Sequence, residues 1–493
     1  MGQPSFVNPL LAESVADKNL VRLTFSNLTD LADNIEGDKN GRSFRVHLKE
    51  NLFWSNGQKL TSDDVIFTLQ KLQDPQTGSP YFSNWQGVVA NRTSELEVQF
   101  NLVAPYAFFT ESLDNLYVVP KHLFADTPPA NWKLSDYNLK PVGSGPFMFK
   151  TYEKRSDGFI TDYRLEPNPY YAGDKPYVEN FNFRFFAKPE DVLKSFNSGQ
   201  IEAVADLEPG AIKNIRRTYD IREFSLPNYY AVFLNQSQNL ALQESAVRAA
   251  LSLSVDRPAL IREVLLGYGR ASTGPIPGNL PATRVSAPGE NYDPDSAALI
   301  LDGAGWKMST SGIREKTIKS SALKLQFKLT VPDISFLVST AKSLANSWRK
   351  IGISAELNIL PPGDILSGPI KNRDYQAVLF GNLLGPNGDL YAFWHSSQKY
   401  YPGLNLSLFG SKNTDKLLES IRQNSDEESR NSQLQSAVDA ISQTYPAVFL
   451  YSPSELFVSS KDLGGVQSGF LGDASDRLID AKKWYVRVTR IFK

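Results

Sequence analysis

The residues best suited to bind a small molecule lie in a glycine-rich loop that follows a predicted strand at 375–380. The loop, residues 381–395, holds one carboxylate, Asp389, near Tyr391 and two further aromatic residues. A carboxylate beside aromatic rings suits a ligand that has an ammonium group and apolar parts. A surface loop whose aromatic side chains cover the core has the same composition, so the residues alone leave both interpretations open.

No residue pattern typical of catalysis stands out. His47, His122 and His395 are far apart without metal-type spacing, and the chain has no cysteine. The adjacent carboxylates of Asp63 and Asp64 fall in a predicted first helical turn, where they favour the helix dipole. We therefore expect a protein that is not an enzyme and that needs no metal or cofactor. A secreted glycan-active enzyme stays open as an alternative, because acid pairs assemble across a sequence.

Composition excludes several classes of partner. The 493 residues are enough for two or three domains, since single cores stop growing near ~250–300 residues. The net charge of −1, from 52 basic and 53 acidic residues, gives no reason to expect a nucleic-acid partner. No apolar run approaches the ~20 residues that span a bilayer.

Local patterns predict a strand, a tight turn and a capped helix in the N-terminal quarter. Apolar and polar residues alternate over 44–49, as in a half-buried strand. Asn56-Gly57 is a turn dipeptide, and Thr61 followed by Asp64 predicts a helix N-cap with an acid in the first turn. These parts indicate local structure and no function.

The architecture is clearest in the second half of the chain. Strand patterns at 323–329 and 353–359 flank a helical pattern at 336–348, and another strand pattern follows at 375–380. Two strands joined through a helix pair in parallel with a crossover. The sequence therefore predicts an α/β fold.

Several motifs resemble those of one protein family. Residues 54–67, Trp-Ser-Asn-Gly-Gln-Lys-Leu-Thr-Ser-Asp-Asp-Val-Ile-Phe, resemble the F/W-S-D-G-x-P-L-T-A-x-D-V-x-F signature of family 5 extracellular solute-binding proteins. These are the oligopeptide- and dipeptide-binding proteins that feed ABC importers. Asn56 replaces the usual Asp, and Lys59 the usual Pro. Further family-like motifs follow in chain order at 142–147, 166–171, 196–202 and 247–257.

The resemblance implies a two-lobed periplasmic-binding-protein-like fold of type II, cluster C, with an extra domain inserted in the first lobe. Lobe I would comprise 1–24, 140–231 and 460–493, the inserted domain 25–139, and lobe II 232–459. The hinges would lie near 229–235 and 448–452. Periodicity alone favours ordinary core strands at both places.

The resemblance also implies candidate ligand contacts. In peptide-binding members an Asp in the equivalent loop meets the α-amino group of the ligand, which would make Asp389 that residue. The spacing of 385–389 differs from the family, and the segment aligns in more than one way. The predicted contacts are Asp389, Asn387, Phe393 and Trp394 in the loop, Tyr229 and Tyr451 near the crossings, Phe6 and Asn8 in a first strand, and Tyr81 and Trp85 in the inserted domain. Each of these residue types is also common in cores and on surfaces.

The function implied by the resemblance is that of an extracytoplasmic substrate-binding protein of an ABC transporter. It would be a monomer in the periplasm or on the outer face of the cell membrane, with its export signal and a lipid anchor removed from the sequence. It would capture peptides in an interlobe cleft by hinge closure and deliver them to a membrane permease. A non-peptide solute of the same family, namely an oligosaccharide, a nickel complex or haem, is the alternative.

Overall fold

The computed structural model of the protein describes residues 2–278, 280, 285–287, 292–318 and 321–487. The chain forms two compact units, which we call unit 1 (Met1–Phe224 with Glu455–Lys493) and unit 2 (Ser225–Ser454). The predicted three-part division into two lobes and an inserted domain stays a prediction, and Met1 and 488–493 of its first lobe lie outside the described residues.

The elements follow in chain order. The helices are α1 Val15–Thr24, α2 Leu28–Leu31, α3 Ser62–Leu72, α4 Phe109–Leu113, α5 Lys121–Phe124, α6 Pro189–Asn197, α7 Ser245–Leu253, α8 Arg257–Val264, α9 Pro294–Gly303, α10 Ser335–Lys350, α11 Pro362–Ile365, α12 Tyr391–Trp394, α13 Lys412–Gln423 and α14 Glu427–Ser442. The strands are β1 Ala32–Gly37, β2 Ser43–Leu48, β3 Val88–Ser94, β4 Glu97–Leu102, β5 Phe147–Lys154, β6 Ile160–Pro167, β7 Phe181–Arg184, β8 Ala203–Val204, β9 Tyr219–Ser225, β10 Asn228–Leu234, β11 Gly269–Ala271, β12 Lys307–Met308, β13 Arg314–Ile318, β14 Ser321–Lys324, β15 Gln326–Pro332, β16 Ser354–Leu360, β17 Ala377–Leu383, β18 Ala447–Ser460, β19 Leu463–Gly464, β20 Gly469–Phe470 and β21 Tyr485–Val486. Among the residues described, no helix is both long and apolar enough to cross a membrane.

The predicted strand, turn and capped helix of the N-terminal quarter are confirmed in unit 1. Strand β2 buries every second side chain, as its alternation requires. Gly57 has a φ of 83°, which a turn at Asn56-Gly57 needs. Thr61 and Asp64 form a capping box at the start of α3. The Thr61 side chain accepts the backbone N–H of Asp64, and the Asp64 side chain accepts the backbone N–H of Thr61.

The family-like motif at 142–147 packs backbone against backbone. The N–H of Gly145 donates to the carbonyl of Thr24 over 2.9 Å. A Cβ at Gly143 would lie 1.8 Å from that carbonyl oxygen, and one at Gly145 would lie 2.7 Å from the carbonyl oxygen of Leu23. The two glycines are therefore needed because the end of α1 leaves no room for a side chain.

The core of unit 2 is a sheet in which β16, β15, β17, β10 and β18 are neighbours in that order. Strand β15 is parallel to β16 and to β17, whereas β10 is antiparallel to β17 and β18. Helix α10 connects β15 to β16, so the predicted strand–helix–strand arrangement is confirmed. The indole Nε1 of the fully buried Trp348 on α10 donates to the carbonyl of Leu251 on α7 over 3.0 Å.

The single strand predicted at 323–329 is wrong, because the chain changes sheets within it. Leu323 lies in β14, which pairs with β13, whereas Phe327 lies in β15 of the main sheet. Between them, the N–H of the buried Leu325 donates to the carbonyl of Arg314 over 2.8 Å. Apolar alternation continues through the break because Leu323 of β14 packs against the same core that contains Leu325, Phe327 and Leu329.

Candidate functional site

The loop that the sequence singled out begins later than predicted. Gly381 lies in β17, where it pairs with Tyr230, so the irregular segment starts only after Leu383. A Cβ at position 381 would lie 2.9 Å from the Tyr230 ring, which accounts for the glycine. The segment from 384 to 390 then leads into the short helix α12.

Asp389 and Asn387 are held by local turns of this segment. The Asn387 Oδ1 accepts the N–H of Asp389 over 3.1 Å. The Asp389 Oδ1 in turn accepts the N–H of Tyr391, the first residue of α12, over 3.0 Å. These side-chain-to-backbone bonds are typical of Asn and Asp in turns, and they fix the direction of the Asp389 carboxylate.

The second carboxylate oxygen of Asp389 is bound by an arginine that the sequence analysis did not select. Arg422 of α13 places its Nε and its Nη2 each 2.8 Å from Asp389 Oδ2. Its guanidinium also lies over the Tyr391 ring, 3.9 Å from the centroid. The Tyr391 ring stacks on the His395 ring, with centroids 4.2 Å apart and planes 13° from parallel. We call Asp389, Tyr391, His395 and Arg422 the Asp389 cluster.

His395 closes the cluster on the side of α13. Its side chain is 8% exposed, and its Nδ1 accepts the N–H of Ser397 over 3.1 Å. Its Nε2 faces α13, 3.3 Å from Glu419 Oε1 and 3.8 Å from Asp415 Oδ1. Asp415, Glu419 and Arg422 share one face of α13 because they are spaced by four and three residues. That spacing is the sequence signal that could have connected Arg422 to the loop.

Tyr229 and Trp394, predicted as ligand contacts, meet each other inside unit 2. Both side chains are fully buried. The Trp394 Nε1 donates to the Tyr229 hydroxyl over 3.2 Å, and the Asn382 Nδ2 donates to the same hydroxyl over 2.8 Å. Burial raises the pKa of Tyr229 well above its ordinary value, so the hydroxyl stays neutral. The structure therefore brings these residues together as packing partners, and ligand contact by them stays a prediction.

Tyr451 and Phe393 are also packed within unit 2. Tyr451 is fully buried in the main core, and its hydroxyl lies 2.6 Å from the Thr340 Oγ1 on α10. Its ring centroid is 6.0 Å from that of Tyr230. Phe393 is 9% exposed on α12. Their predicted contact with a ligand is likewise untested.

The predicted first strand at Phe6 and Asn8 is wrong. Residues 5–11 form bends and turns, because side chains take the hydrogen bonds that a strand partner would take. The Asp17 Oδ1 accepts the N–H of Phe6 over 2.8 Å, and the Asn8 Oδ1 accepts the N–H of Leu10 over 3.0 Å. Asn8 is 2% exposed and donates to Asn138 over 3.2 Å, whereas Phe6 is half-buried.

Tyr81 adjoins this N-terminal segment, whereas Trp85 packs elsewhere in unit 1. The Tyr81 hydroxyl donates to the carbonyl of Ala12 over 3.0 Å, and burial raises its pKa. Trp85 is 4% exposed and meets the Phe109 ring edge-on at 6.2 Å. Unit 1 thus brings Tyr81 close to the segment that carries Phe6 and Asn8.

Unit 1 also contains a cavity of about 890 Å³ that sequence reasoning missed. None of the ten predicted contacts lines it. Its wall is mostly apolar and aromatic, and polar atoms come from residues such as Arg477 and Asp206. Members of the wall include Phe181, Phe183, Phe185, Phe457 and Trp484.

Beside this cavity, a carboxyl and a guanidinium are buried together. The Arg477 Nη1 lies 2.9 Å from Glu455 Oε1, with the side chains 3% and 7% exposed. Burial raises the pKa of Glu455 to about 8; the positive charge of Arg477 lowers it, and the nearby Asp206 raises it further. In the part of the chain that the structure describes, no group of three or more His, Cys, Asp or Glu is arranged to hold a metal ion.

Comparison with known proteins identifies the class and then the family. A family model described as bacterial extracellular solute-binding proteins, family 5 Middle, matches residues 7–401. The chain is therefore a solute-binding protein. It belongs to family 5 of the bacterial extracellular solute-binding proteins, as its motifs predicted.

Individual relatives match over nearly the whole chain. The oligopeptide-binding protein AppA of Bacillus subtilis (strain 168) is 26% identical over 513 residues, which cover 99% of this chain and 90% of AppA. The solved structure of AppA from Bacillus subtilis in complex with a nonapeptide has a TM-score of 0.75 at 23% identity and covers 99% of this chain and 97% of that chain. The ABC transporter substrate-binding protein CtaP of Listeria monocytogenes has a TM-score of 0.84 at 21% identity, with 99% and 98% covered. The predicted α/β solute-binding-protein fold is confirmed by these structures.

Proposed function

We propose that this protein is the substrate-binding protein of an ABC transporter and that it captures peptides or peptide-like solutes for a membrane permease. The observation that carries the proposal is the likeness to the oligopeptide-binding protein AppA over 99% of the chain. Membership of family 5 supports the same class of function. The family description, extracellular solute-binding proteins, supports a place outside the cytoplasmic membrane. A lipid anchor stays a prediction.

The described geometry suits binding without chemistry. Both oxygens of Asp389 are held by Arg422 and by backbone, and the Tyr229 hydroxyl takes two donors. In these contacts the carboxylate and the hydroxyl bind other groups of the protein, which is a structural role. We infer a protein that releases its ligand unchanged.

Capture by closure needs an energetic difference between two states. A ligand shifts such an equilibrium only when it binds the closed state more tightly than the open state. The chain passes between the units at 224/225 and at 454/455, and these are the connections that a closing motion would use. The interlobe cleft and its hinges, as implied by the family resemblance, stay a prediction.

The proposal is tested by native mass spectrometry and thermal melting of the purified protein. We expect co-purified adducts with peptide masses, and an increase in melting temperature on adding randomised pentapeptides. A ligand at one hundred times its Kd stabilises the folded state by about 2.7 kcal/mol. Recovery of every peptide intact after incubation would support binding without catalysis.

Matched probes separate peptides from other solutes. Maltooligosaccharides and a nickel–histidine complex serve as controls under the same conditions. Stabilisation by either control and not by peptides would contradict the peptide assignment. Cleaved peptides or oligosaccharides would contradict the non-enzyme assignment.

A further inference from the structure

We propose that Arg422 pairs with the Asp389 carboxylate, so that this protein binds peptides without recognising a free α-amino group. It therefore accepts peptides with a blocked amino terminus equally well. The inference rests on the proposed function. It concerns the one loop carboxylate that, by residue type, could pair with the ammonium group of a ligand.

Each oxygen of the Asp389 carboxylate already has a partner within the protein, and one partner carries a positive charge. Oδ2 accepts a charge-assisted hydrogen bond from Arg422 Nε over 2.8 Å and lies 2.8 Å from Arg422 Nη2 in the same ion pair, and Oδ1 accepts the N–H of Tyr391 over 3.0 Å. The Asp389 side chain is 14% exposed. A ligand ammonium at this carboxylate would therefore be repelled by the guanidinium charge unless it displaced Arg422.

Arg422 is held by more than its ion pair. Its guanidinium lies 3.9 Å from the Tyr391 centroid, a cation–π contact, and Tyr391 is backed by the His395 ring at 4.2 Å. Planar stacking and a fork of donors are the properties that distinguish arginine from lysine at such a site. Displacement by an ammonium would break both interactions.

The helix that carries Arg422 is itself fixed. Leu418 and Ile421 of α13 are buried, and α13 packs against α14. The largely buried Asp415 accepts the N–H and the hydroxyl of Ser396 over 2.9 and 2.6 Å. Glu419 is half-exposed and faces His395. Asp415 and Glu419 thus lie beside the Asp389 cluster, and each faces a partner on the segment after α12.

Direct competition tests the inference. The protein is incubated with an equal mixture of two synthetic pools of the same randomised pentapeptides, one with free amino termini and one N-acetylated. Native mass spectrometry then counts the captured members of each pool. For the unmodified protein we expect a ratio near one.

Variants show whether Arg422 causes the lack of preference for free amino termini. Arg422→Gln exposes the Asp389 charge, and we expect it to favour free amino termini by at least about tenfold, which corresponds to about 1.4 kcal/mol. Adding Asp389→Asn should return the ratio to near one. Arg349→Gln, at an exposed arginine in the last turn of α10, is the matched control and should change nothing.

The outcomes are distinguishable. Suppose that the unmodified protein prefers free amino termini at least tenfold and that Asp389→Asn abolishes this preference. The ligand ammonium then binds Asp389 in spite of Arg422, so the inference is overturned while the proposed function stands. If no peptide from either pool binds the unmodified protein, the proposed function itself fails. If Arg422→Gln does not fold, the ratio of the two pools captured by the unmodified protein still tests whether a free amino terminus is preferred.

Discussion

The indole Nε1 of Trp394 lies 3.2 Å from the hydroxyl of Tyr229, although the two residues are 165 positions apart in the chain. Trp394 is on α12 and Tyr229 on β10, so this contact joins the short helix after the Asp389 segment to the main sheet of unit 2. Asn382 of β17 donates to the same hydroxyl. One oxygen therefore satisfies two buried donors from two other elements.

Tyr229→Phe should destabilise the protein by about 1–3 kcal/mol, because the Trp394 Nε1 and the Asn382 Nδ2 would both lose their acceptor while buried. The shift of the urea midpoint measures the loss. Tyr400→Phe is the control, since Tyr400 is 72% exposed and its substitution should change stability by less than about 0.5 kcal/mol. Equal effects of the two substitutions would show that the shared hydroxyl contributes nothing.

Glu455 should make the stability of unit 1 depend on pH. Its pKa rises from 4.5 to about 8 on folding, chiefly through burial, although Arg477 opposes the rise. Because the folded state binds the proton more tightly, the stabilisation is complete below pH 4.5 and is lost as pH rises from 4.5 to 8. The contact with Arg477 alone would suggest a charged carboxylate, but burial and the nearby Asp206 outweigh it.

Glu455→Gln should therefore flatten the dependence of melting temperature on pH between 4.5 and 8. The same change at the exposed Glu50 should leave the profile as it is. A profile for Glu455→Gln that parallels the unmodified protein through this window would contradict the raised pKa.

Thr61→Ala should cost about 1 kcal/mol of stability, because the first turn of α3 loses its cap. Equilibrium unfolding in urea gives the value. Thr151→Ala, at an exposed position of β5, is the matched threonine control, and its effect should be smaller. A cost for Thr61→Ala no larger than for Thr151→Ala would mean that the capping box does not stabilise the helix.

Gly143→Ala should prevent normal packing, because the new Cβ would lie 1.8 Å from the carbonyl oxygen of Thr24 and backbone must move to admit it. We expect a loss of soluble protein or a melting temperature reduced by at least about 5 °C, since 1 kcal/mol corresponds to about 2–4 °C in a domain of this size. Gly210→Ala, where nothing lies within 4 Å of the added Cβ, should melt like the unmodified protein. A normal melting curve for Gly143→Ala would show that the end of α1 is not tightly packed against the segment 142–147.

Some site residues follow from local patterns, and others do not. The turn bonds of Asn387 and Asp389 involve neighbours within two residues, and the sequence alone placed both residues in a glycine-rich loop. Arg422 is 33 positions beyond Asp389, and its role depends on how α12 packs on α13. The resemblance implied ligand contacts at Tyr229 and Tyr451, whereas periodicity alone favoured core strands there. Both side chains are fully buried, as core strands require, and their contact with a ligand stays a prediction.

The sequence by itself determined several local elements and the family. The capping box of α3, the turn at Gly57 and the strand–helix–strand around α10 depend on bonds and periodicities within a few residues, and the family motifs are short strings of such residues. Only the tertiary structure decided the partner of Asp389, the shared hydroxyl of Tyr229 and the buried carboxyl of Glu455. Those outcomes require groups that are far apart in the chain to meet, and their burial then sets which charges and hydrogen bonds persist.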